Sequence, residues 1–315
     1  MKKFILCALL TIPNILLPQK NSSIAQEYKS LVLKFANKYL TKQQVLILQD
    51  YYCGPECYTK FVGGKYIPWD KEVSTEEVLK NISSIVHEST HHYNHSGKFV
   101  IGENSNMTIE ETPVFKSSQV ASEMIRKNEL ASDMLRFDTY VNTNSNSSSS
   151  VDGIYGLMNE YCAYYNDALA SLRMYEAFEN LYLETGKDSI QKIKKDFALR
   201  LMSSITAFYE FNSFIGAYLL HAKKHRPIIY EKIRNNYSLV TAYSIVTINF
   251  QEIVEKSHEL FPLHNYKIVR EWGSGKSTTT YGNNESLLVS QSVYNDYISM
   301  LNEFHNSTNL KLNEK

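Results

Sequence analysis

From Ser74 to Gly97 the chain reads STEEVLKNISSIVHESTHHYNHSG. Ser74 followed three residues later by Glu77 is a capping box, which predicts a helix starting here. Val78, Ile82, Ile85 and Val86 then recur at helical spacing, so this helix has an apolar face packed on a core. Gly97 ends it. Past its middle stand His87, Glu88 and His91, an H-E-x-x-H pattern, with His92 and His95 close behind, so that four of the nine histidines crowd one helix. A helix turns about 100° per residue, which stacks His87 above His91 on one face. Two imidazoles so held can bind one Zn²⁺ at about 2.0–2.1 Å. Glu88 projects beside them, where a general base takes a proton from water attacking a carbonyl.

Working outward from this helix, the chain is a succession of others. Tyr28, Leu31, Val32, Phe35 and Tyr39 predict a first amphipathic helix ending near Thr41. Val45 to Tyr52 reads as a β-like run, residues 98 to 114 as a short strand pair, and Ser117 to Phe137 as a helix. Asn142 to Ser150 is a polar low-complexity stretch, read as a flexible loop over 142–152. A long helix follows from Ile154 to Glu184, stopped by Gly186. Asp188 and Ser189 cap the next, which reaches Lys224 before Pro227. A further helix spans 229 to 259, a weakly patterned loop 262 to 285, and a last helix 287 to 305. The fold class is mainly α with a small β element (α+β). The expected organisation is an N-terminal lobe, 26–141, and a helical C-terminal lobe, 153–315.

Composition is consistent with a folded, mainly helical protein. The 315 residues include 33 basic and 33 acidic groups, 43% hydrophobic residues and few glycines and prolines. A formal charge of zero excludes a strongly basic nucleic-acid binder. Lys2 and Lys3, the apolar run Phe4 to Leu17 and the small residues Ser23-Ile24-Ala25 read as a secretory signal over 1–25. The apolar run is too short to cross a bilayer comfortably and contains Pro13, so no stable membrane anchor is expected after cleavage. Removing Lys2, Lys3 and Lys20 leaves 30 basic against 33 acidic groups, a net of −3, on a chain expected to be secreted or periplasmic. In that oxidising setting Cys53 and Cys57 are expected to pair and Cys162 to be a buried free thiol.

His87 to His91 resembles the signature of the zincin metallopeptidases. The resemblance covers this helix and, with it, the later helix that carries the third ligand. It implies a zincin-like metallopeptidase fold, a Zn²⁺ cofactor held first by His87 and His91, and Glu88 as the catalytic base. The metzincin extension is ruled out, since Asn94 and Gly97 stand where its glycine and histidine would be. His95 is one turn too far along a straight helix to reach the same ion. A glutamate from a later helix, as in gluzincins, is then expected. Asn128-Glu129-Leu130-Ala131-Ser132-Asp133 matches the thermolysin-like N-E-x-x-S-D pattern letter by letter. Asn159-Glu160-Tyr161-Cys162-Ala163-Tyr164 lacks the aspartate but sits in an apolar, aromatic helix, where a glutamate is costly to bury without a partner such as a metal. Glu129 is flanked by Arg126, Lys127, Asp133 and Arg136, the pattern of a solvated face. Glu160 is therefore taken as the third ligand, ahead of Glu129.

The expected activity is hydrolysis of a peptide or protein substrate by a zinc-bound water that Glu88 activates. Tyr164, Tyr218 and His221 are candidates for stabilising the oxyanion, and Asp167, seven residues after Glu160, for holding a ligand histidine. Gly273-Ser274-Gly275-Lys276-Ser277-Thr278 imitates a phosphate-binding loop, but Arg270 stands where its first glycine is needed, and it is read as a turn. The rival to an enzyme is a non-catalytic exported zinc-binding or helical binding protein, which would have no use for Glu88.

Overall fold

The computed structural model describes residues 19–54, 74–127, 134–144, 146–260, 268–273, 276–281 and 285–306, with side chains described for 25–260 and 296–306 within these ranges. Helix α1 (Gln19–Tyr39) is followed by α2 (Lys42–Asp50) and α3 (Thr75–Asn94). Strands β1 (Lys98–Gly102) and β2 (Ser105–Thr108) form an antiparallel pair. A 3₁₀ turn (Ser117–Val120) leads into α4 (Ala121–Lys127), then the short helices α5 (Phe137–Tyr140) and α6 (Ser148–Val151). The long helices α7 (Ile154–Thr185) and α8 (Asp188–His225) make a hairpin, followed by α9 (Pro227–Arg234) and α10 (Tyr237–Leu260). Strands β3 (Ile268–Gly273), β4 (Lys276–Tyr281) and β5 (Glu285–Ser290) form an antiparallel sheet before α11 (Gln291–Asn306). The fold is mainly α with a small β element.

Helix α3 forms as its sequence directs. The Ser74 hydroxyl accepts the Glu77 amide at 3.1 Å, and Glu76 and Glu77 lie in the first turn, where the helix dipole favours negative charge. Val78, Leu79, Ile82, Ile85 and Val86 are fully buried. Gly97, at φ +79°, turns the chain into β1, a conformation that glycine adopts without steric cost. Helix α7 is buried along most of its length because neighbours cover it on several sides: α3, α8 and α10 all pack on it.

Several expectations are corrected. Residues 45–50 are helical: the Thr41 hydroxyl accepts the Gln44 amide, and the Gln44 side chain accepts the Thr41 amide, a full capping box that starts α2. The helix expected over Ser117–Phe137 is not continuous: Ser117–Val120 is a 3₁₀ turn and residues 134–136 are not helical, while 128–133 lie outside the described residues. Part of the expected loop 142–152 is helix α6, with Ser150 buried. Asp188 is the first residue of α8, not its cap, which is Lys187. The helix expected over 229–259 is two, α9 and α10, because the Asn236 side chain accepts the Leu239 amide at 3.1 Å and starts α10 afresh. Residues 262–285 include β3 and β4, and Gly273 pairs with Lys276 in their antiparallel register.

The apolar cores divide differently from lobes at 26–141 and 153–315. Phe99, Ile101, Phe115, Val120 and Phe137 share one core with α7, α8, α10 and α11. A second core joins α1, α2 and α3 to the other end of the α7–α8 hairpin, through Ala170, Met174, Phe178, Ile193 and Phe197. Helix α7 belongs to both. Cys53 is disulfide-bonded and Cys162 is a buried free thiol, while Cys57 lies outside the described residues. Residues 1–18 of the expected signal also lie outside them. Helix α1 runs through the expected cleavage point after Ala25. Among the described residues no helix is long and apolar enough to cross a membrane.

Candidate metal centre

The polar face of α3 meets α7, and three side chains converge there. His87 Nε2 lies 3.1 Å from His91 Nε2, and Glu160 Oε2 lies 3.3 Å from His91 Nε2. One tetrahedral ion holding ligands at 2.0–2.1 Å would space them roughly 3.3 Å apart. The three ligand atoms all lie within 4.8 Å of one another. Glu160 Oε2 is itself buried, with no hydrogen-bond partner among the described residues. A buried carboxylate oxygen facing two imidazole nitrogens is a donor set that calls for a cation. His87, His91 and Glu160 thus fit a bound metal.

The orientation of His91 is fixed from α7. Its Nδ1 donates to Asn159 Oδ1 at 3.1 Å, and Asn94 Nδ2 donates to the same oxygen at 2.8 Å. With the proton committed to Nδ1, the lone pair of a neutral ring lies on Nε2, facing the shared point. Asn159, next to Glu160 in sequence, therefore does what was expected of Asp167. Asp167 is hydrogen-bonded to Ser83 and Ser171.

On the far side of His87 the Tyr164 ring meets it edge-on, with centroids 4.6 Å apart. The Arg136 guanidinium lies 4.5 Å from the centroid of Tyr164, and the Tyr140 and Tyr164 hydroxyls are 3.4 Å apart. Arg136 is buried, contrary to the solvated face expected around residues 126–136. Its Nη1 donates to Glu210 Oε2 at 2.8 Å and its Nη2 to Ser203 Oγ at 2.9 Å. Arg136, Glu210, Tyr140, Asn94 and Asn159 were not singled out by sequence reasoning. Only Asn159 offered a signal, as the residue preceding Glu160.

The electrostatics follow from burial and these neighbours. Burial drives His87 well below its ordinary pKa, and His91 and Arg136 push it further, all favouring the neutral ring. For His91 burial also opposes the charge, but Glu160, Glu88 and Asn159 outweigh it and raise the ring to about 9. A proton there does in part what a metal would: it places positive charge between Glu160 and the second imidazole. Burial raises Glu88 above the usual carboxylate range, with Glu160 and Asp167 adding to it and His91 opposing. Burial also raises Tyr140, and the Glu160 charge contributes.

The remaining candidates lie elsewhere. His95 caps the end of α3 and is exposed, and His92 faces Cys53 Sγ at 3.4 Å. The Tyr218 hydroxyl donates to Phe115 O at 2.8 Å and accepts the Phe115 amide at 3.0 Å, its ring stacked on Phe115, so its role is in the core. His221 bonds Glu123. Glu129 lies outside the described residues. No protein-family model, curated protein or solved structure matches this chain.

Proposed function

We propose that the chain is an exported, zinc-dependent peptidase in which His87, His91 and Glu160 hold the metal and Glu88 is the general base. The convergence of His87 Nε2, His91 Nε2 and Glu160 Oε2, 3.1 and 3.3 Å from neighbour to neighbour, carries this reading. Two imidazoles and one carboxylate suit zinc, and they match the resemblance to gluzincins in which the third ligand comes from a later helix. When bound, the ion supplies Lewis-acid polarisation of a carbonyl and of water.

The chain's own groups do the rest. Glu88 takes a proton from the attacking water and returns it to the departing amide nitrogen. The oxygen of water bonds to the carbonyl carbon, the C–N bond breaks, and the products are a carboxylic acid and an amine. Burial favours the protonated carboxyl, which makes Glu88 a better acceptor for the proton of the attacking water. Asn159 keeps the His91 lone pair on Nε2, and Tyr164 packs against the His87 ring. Export rests on the pattern of residues 1–25, and the substrate class is peptide or protein.

The test is the purified chain against a mixed peptide library, with metal content measured alongside. Glu88→Gln should keep the metal and lose hydrolysis by about 10²–10⁴-fold. His91→Ala should lose both the ion at this site and the activity. A zinc-loaded wild type inactive on the whole library would point instead to a zinc-binding protein without catalysis. A chain that binds no zinc would remove both readings.

A further inference from the structure

A second group of donors lies where α4 meets the C-terminal end of α8, sharing no residue with the first. His221 and His225 are one turn apart on α8, their ring centroids 4.6 Å from each other. Glu123 reaches them from α4: its Oε2 lies 2.8 Å from His221 Nδ1 and 3.6 Å from His225 Nε2. The three ligand atoms lie within 4.8 Å of one another. The donor set repeats that of the first site, two histidines at i and i+4 with one glutamate from another helix. We propose that Glu123, His221 and His225 form a second metal site that takes a zinc-class transition ion.

Several features favour an ion over a simple hydrogen-bonded cluster. The two nearby cations approach the other oxygen of Glu123. Lys224 Nζ is 3.5 Å and Arg126 Nη2 3.8 Å from Oε1, which leaves Oε2 to the histidines. The Phe115 ring, 5.4 Å from that of His221, gives the site an apolar side, and the 44% exposed His225 gives it a way in from solvent. Two imidazoles with a single carboxylate suit zinc, copper or nickel, whereas calcium and magnesium need more oxygen ligands. Lys224 and Arg126 repel any cation, so this ion binds more weakly than the one at His87, His91 and Glu160. Bound, it ties α4 to the end of α8.

The inference does not depend on the peptidase reading, and zinc stoichiometry separates the two. The chelator-stripped chain is titrated with zinc against a chromophoric competitor. Wild type should bind two ions per chain, the second more weakly. His225→Ala should bind one and keep any hydrolytic activity. His91→Ala should bind one, and the double variant none. Glu123→Gln, which preserves a hydrogen-bonding group toward His221, should bind as His225→Ala does, with folding checked by circular dichroism. A single wild-type ion that His225→Ala abolishes would keep this site and remove the first. The proposal is overturned if His225→Ala binds as many ions as wild type, or if the wild type binds none.

Discussion

Glu160 Oε2 on α7 lies 3.3 Å from His91 Nε2 on α3, while the preceding residue, Asn159, takes the other nitrogen of the same ring at 3.1 Å. One turn of α7 thus supplies both the expected ligand and the group that orients its partner. Asn159→Ala should leave the fold intact but free the His91 ring. Partners of this kind typically contribute 10–100-fold to metal affinity. Zinc competition on the Asn159→Ala chain should show a weakening of about that size at the first site. Unchanged affinity would mean that packing alone holds the ring.

Arg136 and Glu210 should be more costly to separate than to replace together. Both are buried, and their 2.8 Å ion pair lies behind Tyr164 and hence behind His87. Glu210→Ala leaves the guanidinium without its counter-charge, a loss of about 3–5 kcal/mol for buried pairs. Arg136→Met with Glu210→Leu removes both charges and should recover much of that loss. Urea unfolding of the two variants checks the order. Equal losses would show that packing, not the pair, is what the variants disturb.

The parts of this molecule legible in the sequence are those that local rules dictate. Helix α3 has its cap, its apolar period and its terminal glycine within the segment 74–97, and α7 is marked by an aromatic run and Gly186. Glu160 was chosen over Glu129 on the cost of burying a carboxylate, a local argument. Glu160 lies beside His91, and Glu129 lies outside the described residues. What was missed depends on distant partners or on short ambiguous runs. Val45-Leu46-Ile47-Leu48 suits strand or helix equally, and only the Thr41–Gln44 capping box decides it. Arg136 among Arg126, Lys127 and Asp133 looks solvated until α8 brings Glu210 against it. Asp167 lies on the right helix, but its hydrogen bonds go to Ser83 and Ser171.

Gly153 and Gly186 bound α7 and should respond differently to alanine. Both have positive φ, +54° and +63°. At Gly186 an added Cβ meets nothing within 4 Å, so Gly186→Ala costs only the left-handed backbone, about 1–2 kcal/mol. At Gly153 the same atom would lie 2.2 Å from Phe115 O and 2.6 Å from the Tyr218 hydroxyl. Those two groups are hydrogen-bonded to each other, so neither can give way without breaking that contact. Gly153→Ala should therefore destabilise more than Gly186→Ala, by a further ~2 kcal/mol or more, seen as a lower denaturation midpoint. Similar losses would show that the 115–117 segment yields freely.

Glu303 gives a stability contribution with a definite pH sign. It anchors α11 to α8 and α9 through Lys223, at 2.6 Å, and the Tyr230 hydroxyl, at 2.8 Å. The Lys223 hydrogen bond, opposed by slight burial and aided by Tyr230, holds Glu303 below its ordinary value of 4.5. A carboxyl with a depressed folded pKa stabilises above the unfolded value and loses that contribution as the pH falls through the folded one. The side chains of Glu303 and Lys223 are 40% and 47% exposed, so solvent limits the effect to about 1 kcal/mol or less. Glu303→Gln should be less stable than wild type at pH 7 by that amount. The gap should narrow as the pH drops below 4.5 and close once Glu303 is itself protonated, because the wild type then carries no more charge at this position than the variant. Denaturation midpoints of both chains across this range provide the check. A gap that stays constant with pH would assign the effect to the shape of the side chain rather than to its charge.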